Sequence, residues 1–397
     1  MHLLHRPCCR VEIIDIKLFR LGTTLDQLAT LENWMKSKEP GKGTPLLQNG
    51  PAALEPPRRV QITHDCCRTT TFEVTISRYE PSPEDTTGYY WTDATGKRGY
   101  ELPPYYISDL GEAAQNLRGY IQTARAEFTR ALLHVPNSNP IIRRTFDEAV
   151  RYQVASKSKL VAGALMFWSA TRMTERFWLI TGSDLLGQPP MKEAIGPCRY
   201  NPHIKAVPVT PIMDTQLDEI SIKHVLIPLK SKLLHLLKKK VLEKDKQNWY
   251  EIFLTSFIFL HSLEVVLGQV MDYSRRYGIS FSPRSNGESS LSHAYYHACK
   301  TILVYYHFAC GSAAPLSLDW NDPNVDTSIM SQEQIKFLCD LKGEIKRQHG
   351  KLENLKCESM YETEMYWCHQ LLFMDWKADM PHAGQFLTCT EKDFLLS

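Results

Sequence analysis

Residues Trp249–Gly278 read WYEIFLTSFIFLHSLEVVLGQVMDYSRRYG, and their patterning decides the fold of everything after about residue 215. Trp249, Phe253, Phe257, Leu260, Leu267 and Met271 recur at steps of three, four or seven, the spacing of one helix face. Ile252, Leu254, Ile258, Phe259, Leu263 and Val266 cover most of the remaining circumference, which leaves Glu251, Thr255, Ser262 and Gln269 as a polar line. A helix that is apolar almost all round is a buried one, so this stretch is predicted to be the central helix of a core. Gly278 is the expected stop: glycine tolerates the left-handed conformation past a helix end, and Arg275 and Arg276 suit its negative pole. Length argues against a membrane span. Apart from His261, only Ile252–Leu263 is free of acidic and basic side chains, and crossing needs roughly 20 apolar residues.

Working outward, Leu291, Tyr295, Ala298, Ile302, Tyr305 and Ala309 alternate steps of four and three, a seam for a partner helix that Gly311 stops. Ser331 and Gln334 make a capping box for a helix carrying Ile335, Leu338 and Ile345, and Tyr361–Trp376 is expected to be the last helix. On the other side, Leu217–Lys246 reads as a basic amphipathic helix, or as one kinked near Pro228. Leu226, Leu229, Leu233, Leu236 and Leu237 are its apolar side. Gly187–Asp214, with six prolines and no period, reads as a long connector. Ser156–Leu179, rich in Leu160, Leu165, Phe167, Trp168, Phe177 and Trp178, is predicted helical. So is the segment that Asn139-Pro140 opens, through Phe146, Val150 and Val154, and the one running from a Ser108 or Asp109 cap to about Leu133.

Val60–Glu101 is the one convincing β region. Phe72, Val74 and Ile76 alternate with Glu73, Thr75 and Ser77. A second strand at Tyr89–Thr92 and a turn at Thr95–Arg98 before Gly99–Leu102 predict a small antiparallel sheet of two to four strands. Cys66-Cys67 falls between strands. Ser37–Arg59, with five prolines and three glycines, reads as a flexible linker, and Leu25–Trp34 as a short helix.

A chain of 397 residues has ample material for a sizeable core, and its net charge of +2 makes no global case for nucleic-acid binding. Eleven scattered cysteines without C-x-x-C spacing argue for a reduced compartment. Met1–Arg10 has no apolar leader core, so a soluble intracellular protein is expected. His293 and His297 stand at metal-capable i, i+4 spacing but lack the glutamate of H-E-x-x-H and a third ligand. Cys299, Cys310, Cys339 and Cys368 fall in apolar helical patterns, where cysteine behaves as a small hydrophobe. Glu362 and Glu364 read as solvated carboxylates. With no G-x-S-x-G and no phosphate-binding loop, no catalytic residue and no metal ligand is assigned, and an enzyme is not expected. Lys238, Lys239 and Lys240 are the most suggestive functional feature, a patch for nuclear import or an anionic partner, set against a plain solvated helix face.

The pattern W-x3-FLTSFI-x-LH-x-LE-x-V-x-G followed by DY-x-RRYGI resembles the C-terminal regulatory region of the fungal six-cysteine binuclear zinc-cluster transcription factors. YYHFACG at 305–311, SQEQIKFLCDL at 331–341, and ELPPYYISDL, NLRGYI and IIRRTFDEAVRYQ within Tyr100–Gln153 extend the resemblance over most of the chain. In that family a Leu-Phe-Arg-like signature follows the last zinc-ligand cysteine, and Cys8 and Leu18-Phe19-Arg20 sit where it would fall. The resemblance then implies a truncated zinc cluster, with no cofactor in this chain and zinc only if the upstream cysteines are restored. Adjacent Cys8 and Cys9 cannot replace them, because thiolate zinc sites draw on pairs about two to four residues apart. It also implies a nuclear regulator that works through partners in the transcription machinery or a homodimer partner, touches DNA only through a missing upstream segment, and has no membrane role. A helical interaction scaffold or adaptor without a DNA role is the alternative. The expected architecture is mainly α, with a small antiparallel β-sheet near the N-terminal third. Residues 1–36 are a remnant N-terminal segment, 37–59 a linker, 60–187 the sheet plus helices, 188–214 a Pro-rich connector and 215–397 a helical regulatory bundle.

Overall fold

The computed structural model describes residues 12–20, 55–196, 198–277, 288–311, 318–320, 322–358, 360–372 and 376. Its strands are β1 (Arg58–His64), β2 (Phe72–Arg78), β3 (Gly88–Asp93), β4 (Gly96–Glu101), β5 (Tyr105–Ile107), β6 (Trp178–Thr181) and β7 (Ala206–Pro208). Its α-helices are α1 (Leu110–Leu133), α2 (Pro140–Ser156), α3 (Lys159–Met173), α4 (Pro211–Ser221), α5 (Ile227–Glu243), α6 (Trp249–Tyr277), α7 (Glu288–Cys310), α8 (Gln332–Arg347) and α9 (His349–Cys357). The chain divides into a helical unit of Met1–Arg20, Pro136–Trp168 and Leu229–Ser397, and a sheet unit of Leu21–Val135 and Ser169–Pro228.

In the sheet unit, five antiparallel strands run in the order β5-β2-β1-β6-β7, and β3 and β4 form a separate hairpin. Phe72, Val74 and Ile76 of β2 are buried as their alternation requires. Helix α1 packs on β2, opened by Asp109, whose carboxylate accepts the Glu112 N–H at 2.8 Å. Helix α4 covers the edge at β5. The Gln216 amide donates to the Ile107 carbonyl at 3.0 Å and accepts the Ile107 N–H at 2.7 Å, which satisfies an edge strand's free main-chain groups.

Helices dominate and the body of the sheet lies in the N-terminal third, but two strands come from later in the chain. The helix expected to reach Leu179 ends at Met173, and Trp178–Thr181 pairs with β1 in the register His64↔Trp178. Phe177–Ile180 is a short unbroken apolar run, which periodicity cannot tell from helix. The connector expected over Gly187–Asp214 contains β7 and the start of α4. A turn of π-helix at Ile222–Leu226 joins α4 to α5, so helical backbone runs from Pro211 to Glu243, and Pro228, which has no N–H to donate one turn back, follows directly on that π turn.

The helical unit is built on α6, which runs from Trp249 as expected; Gly278 lies outside the described residues. Trp249, Phe253, Phe257, Leu260 and Leu267 are all buried, and so are Glu251, Thr255 and Ser262 of the polar line. By length and composition Lys246–Val270 would suffice to cross a membrane, so length does not settle the matter; burial does, because 89% of its most apolar window is inside the fold. Helix α7 packs along α6 through Tyr295, Ala298, Ile302, Tyr305 and Ala309, and ends at Gly311, which takes the left-handed φ of 62°. Gly163 of α3 lets α5 approach: a Cβ there would meet Leu233 Cδ2 at 2.5 Å. Near the N-terminus, Ile13, Ile16, Leu18 and Phe19 are buried, and the Phe19 ring lies 5.8 Å from that of Phe167. On α2, Phe146 is buried, whereas Val150 and Val154 are 42% and 67% exposed. Of Tyr361–Trp376, expected to be helical, residues 361–367 are turns and bends and Cys368–Leu372 is a 3-10 helix; residues 373–375 lie outside the described residues.

Candidate functional site

Two polar features stand out in the helical unit, and both involve α6. The first is a buried cluster one turn wide. His261 and Glu264 are each 1% exposed, inside a helix otherwise lined with aromatic and aliphatic side chains. The Trp168 indole donates to His261 Nδ1 at 3.0 Å. An indole N–H can only donate, so Nδ1 is the accepting nitrogen, and Nε2 carries the proton that faces Glu364 Oε1 at 3.1 Å. Burial pushes the Glu364 carboxyl up, but its hydrogen bond with His261, aided by Lys351, outweighs this and holds it below the ordinary carboxylate value. Glu264 meets main chain instead. Its Oε2 accepts the Met365 N–H at 2.9 Å, and its Oε1 accepts those of Trp367 at 2.6 Å and Cys368 at 2.8 Å. Desolvation raises Glu264 to about 7 against the pull of these donors. The carboxylate thus fixes the turns that lead into the 3-10 helix at Cys368–Leu372, and Met365 within them holds a left-handed φ of 77°.

The second feature is a cavity of about 320 Å³ where the α2–α3 corner meets α5 and α6. Leu160 and Leu236 supply apolar wall, and Tyr152 and Ser158 line it beside them. Glu251 is buried there; it accepts from the Ser158 hydroxyl and pairs with Lys240 Nζ at 2.9 Å. Lys159 lines the same cavity and is exposed. Ser158 also caps α3, its Oγ accepting the Val161 N–H at 3.1 Å.

The three lysines expected to act as a patch are placed differently. Lys238 pairs with Glu12, Lys240 lines the cavity and also donates to Asn248 Oδ1 at 3.0 Å, and Lys239 is exposed. Glu364 is exposed and Glu362 half-buried, and each also accepts a hydrogen bond, Glu362 from Tyr296 and Glu364 from His261. His297 lies 3.4 Å from Thr301 Oγ1, while the side chain of His293, with Cys8 and Cys9, is outside the described residues. The LE pair in the α6 sequence was the available signal for Glu264, a charge within an apolar run, but nothing in the sequence named its main-chain donors.

Comparison with known proteins gives two matches. A sequence profile described as KpeA transcription factor matches residues 32–371. The chain is also similar to the satratoxin biosynthesis SC3 cluster transcription factor of Stachybotrys chartarum (strain CBS 109288 / IBT 7711). They are 26% identical over 263 residues, which is 64% of this chain and 36% of the relative. The chain thus covers little more than a third of that relative's length. No solved structure gives a significant match.

Proposed function

The chain belongs to the KpeA transcription factor family, and from that premise we propose that it regulates transcription in a fungus, in the nucleus and without catalysis of its own. The observation that carries this reading is the extent of the profile match, residues 32–371, together with a relative named as a transcription factor. The helical unit would serve as the regulatory part, offering surfaces to partners in the transcription machinery or to a second copy. DNA contact would come from a zinc-cluster segment outside this sequence, and zinc would belong with that segment. The run Lys238–Lys240 is the proposed import or anionic-partner patch, with Lys239 as its exposed member.

A reporter experiment tests the proposal. The chain is fused to an unrelated DNA-binding domain and directed to an operator upstream of a reporter gene in a filamentous fungus. A change in reporter output of about ten-fold in either direction, absent with the DNA-binding domain alone, is expected for a regulatory region. An unchanged reporter, with the fusion accumulating in the nucleus, would overturn the proposal in favour of a scaffold.

A further inference from the structure

We infer that the cavity at the α2–α3 corner binds a small organic monoanion that carries a hydroxyl group. Its volume, about 320 Å³, lies within the range of small-molecule sites. Four helices of one unit converge on it, and its walls set Leu160, Leu236 and Tyr152 among serine, lysine and glutamate side chains. The charges select the ligand. Lys159 and Lys240 are cationic and Glu251 is anionic, so the lining carries one more positive than negative charge. Lys240 is tied to Glu251 and Asn248, whereas Lys159 has no carboxylate partner among the described residues. A ligand carboxylate would supply that partner. The first turn of α3 adds main-chain N–H groups: those of Lys159 and Leu160 have no acceptor one turn back, and they sit at the positive end of the helix. Glu251, an acceptor already engaged on two sides, would take a hydrogen bond from a ligand hydroxyl. Leu160 and Leu236 favour an apolar body between the two groups.

The inference goes beyond transcriptional regulation and is tested without DNA, so either reading can fail alone. Salicylate is titrated into the full chain by calorimetry, with its uncharged analogue salicylamide as the comparator. Saturable binding of salicylate is expected, weakened about ten-fold by Lys159→Gln and about as much by exchanging salicylate for salicylamide. Leu236→Trp, which fills the cavity, should remove binding. No salicylate binding at millimolar concentration would overturn the inference. So would equal binding of the two probes, or binding that persists in a folded Leu236→Trp protein. Should Leu236→Trp fail to fold by circular dichroism, Lys159→Gln and the salicylamide comparison decide, because Lys159 is exposed and its change leaves the packing untouched.

Discussion

The helical unit and the sheet unit each bury ionisable side chains, and Glu264 of the one and His64 of the other are satisfied in different ways. In the helical unit, Glu264 is held by three main-chain N–H groups from residues 365, 367 and 368. In the sheet unit, His64 is fully buried between Tyr120, whose hydroxyl meets Nδ1 at 2.9 Å, and the Met173 carbonyl, which meets Nε2 at 3.2 Å. The carbonyl can only accept, so Nε2 carries the proton and Nδ1 takes the Tyr120 hydroxyl. The rings of Trp178, Phe128 and Tyr120 lie 3.9, 5.5 and 5.8 Å from the imidazole. The difference concerns what each group holds. A carboxylate that collects main-chain donors pins a run of turns, whereas an imidazole among rings fills a core that strands and a helix already define. Loss of Glu264 should therefore release a segment, and loss of His64 should weaken a core.

The largest expected effect tests the first half of that contrast. Glu264→Ala leaves three buried N–H groups without an acceptor, and each hydrogen bond to a charged group contributes roughly 1.5–3 kcal/mol. A loss on the order of 5 kcal/mol is expected by urea denaturation. Hydrogen exchange should show where the change lies, with the amides of Met365, Trp367 and Cys368 losing protection before those in the interior of α6. Uniform loss along α6 would instead make Glu264 a general core residue and break the comparison.

The second effect is smaller at neutral pH and separates the two sites by sign. His64→Phe keeps an aromatic ring in the pocket but strips two polar groups of their partner, a cost of about 3 kcal/mol at neutral pH. Burial depresses His64 from 6.5 to about 3, with Arg176 adding to it and the Met173 carbonyl opposing. A depressed histidine favours its neutral form in the fold, so its contribution is present above pH 6.5 and is lost as pH falls from there towards 3. Glu264, raised from 4.5 to about 7, runs the other way: its contribution is full below pH 4.5 and is lost as pH rises through 7. His64→Phe should flatten the acid limb of the stability profile, and Glu264→Gln the limb between pH 4.5 and 7. If both variants flatten the same limb, one of the two environments has been misassigned.

The same contrast explains what could be read from the sequence. Helix α6 was legible almost to the residue, because a long apolar run with helical spacing has one packed solution. The caps at Asp109, Asn139 and Ser331 were legible too, since capping is a local side-chain chemistry. Strand β6 was not, because an unbroken Phe177–Ile180 run carries no period. Val150 and Val154 had the right spacing on α2 and still face solvent, because spacing names a face but not its neighbour. The anchors were least visible. Glu264 finds its donors about a hundred residues away in main-chain groups that no side-chain pattern marks. The cavity depends on how the Lys157 corner, left-handed at φ 55°, sets α2 against α3, and its lining residues come from three separate stretches of the sequence.

The smallest effect extends the comparison to a polar anchor at the surface. Ser331 opens α8, accepting the Gln334 N–H at 3.3 Å, while the Gln334 side chain accepts the Ser331 N–H at 2.8 Å. The two residues form the same kind of lock as Glu264, a side chain holding main-chain donors, but Ser331 is exposed and Gln334 only half-buried. Water can replace either partner, so the desolvation cost that makes Glu264 expensive to remove is missing here. Ser331→Ala is therefore expected to cost about 1 kcal/mol, the usual value of an N-cap, and Ser331→Gly a few tenths. Fraying should be confined to the first turn of α8 and read out as faster exchange at Gln334 and Ile335. A cost for Ser331→Ala as large as that of Glu264→Ala would mean that the number of main-chain donors held, and not their burial, sets the strength of these anchors.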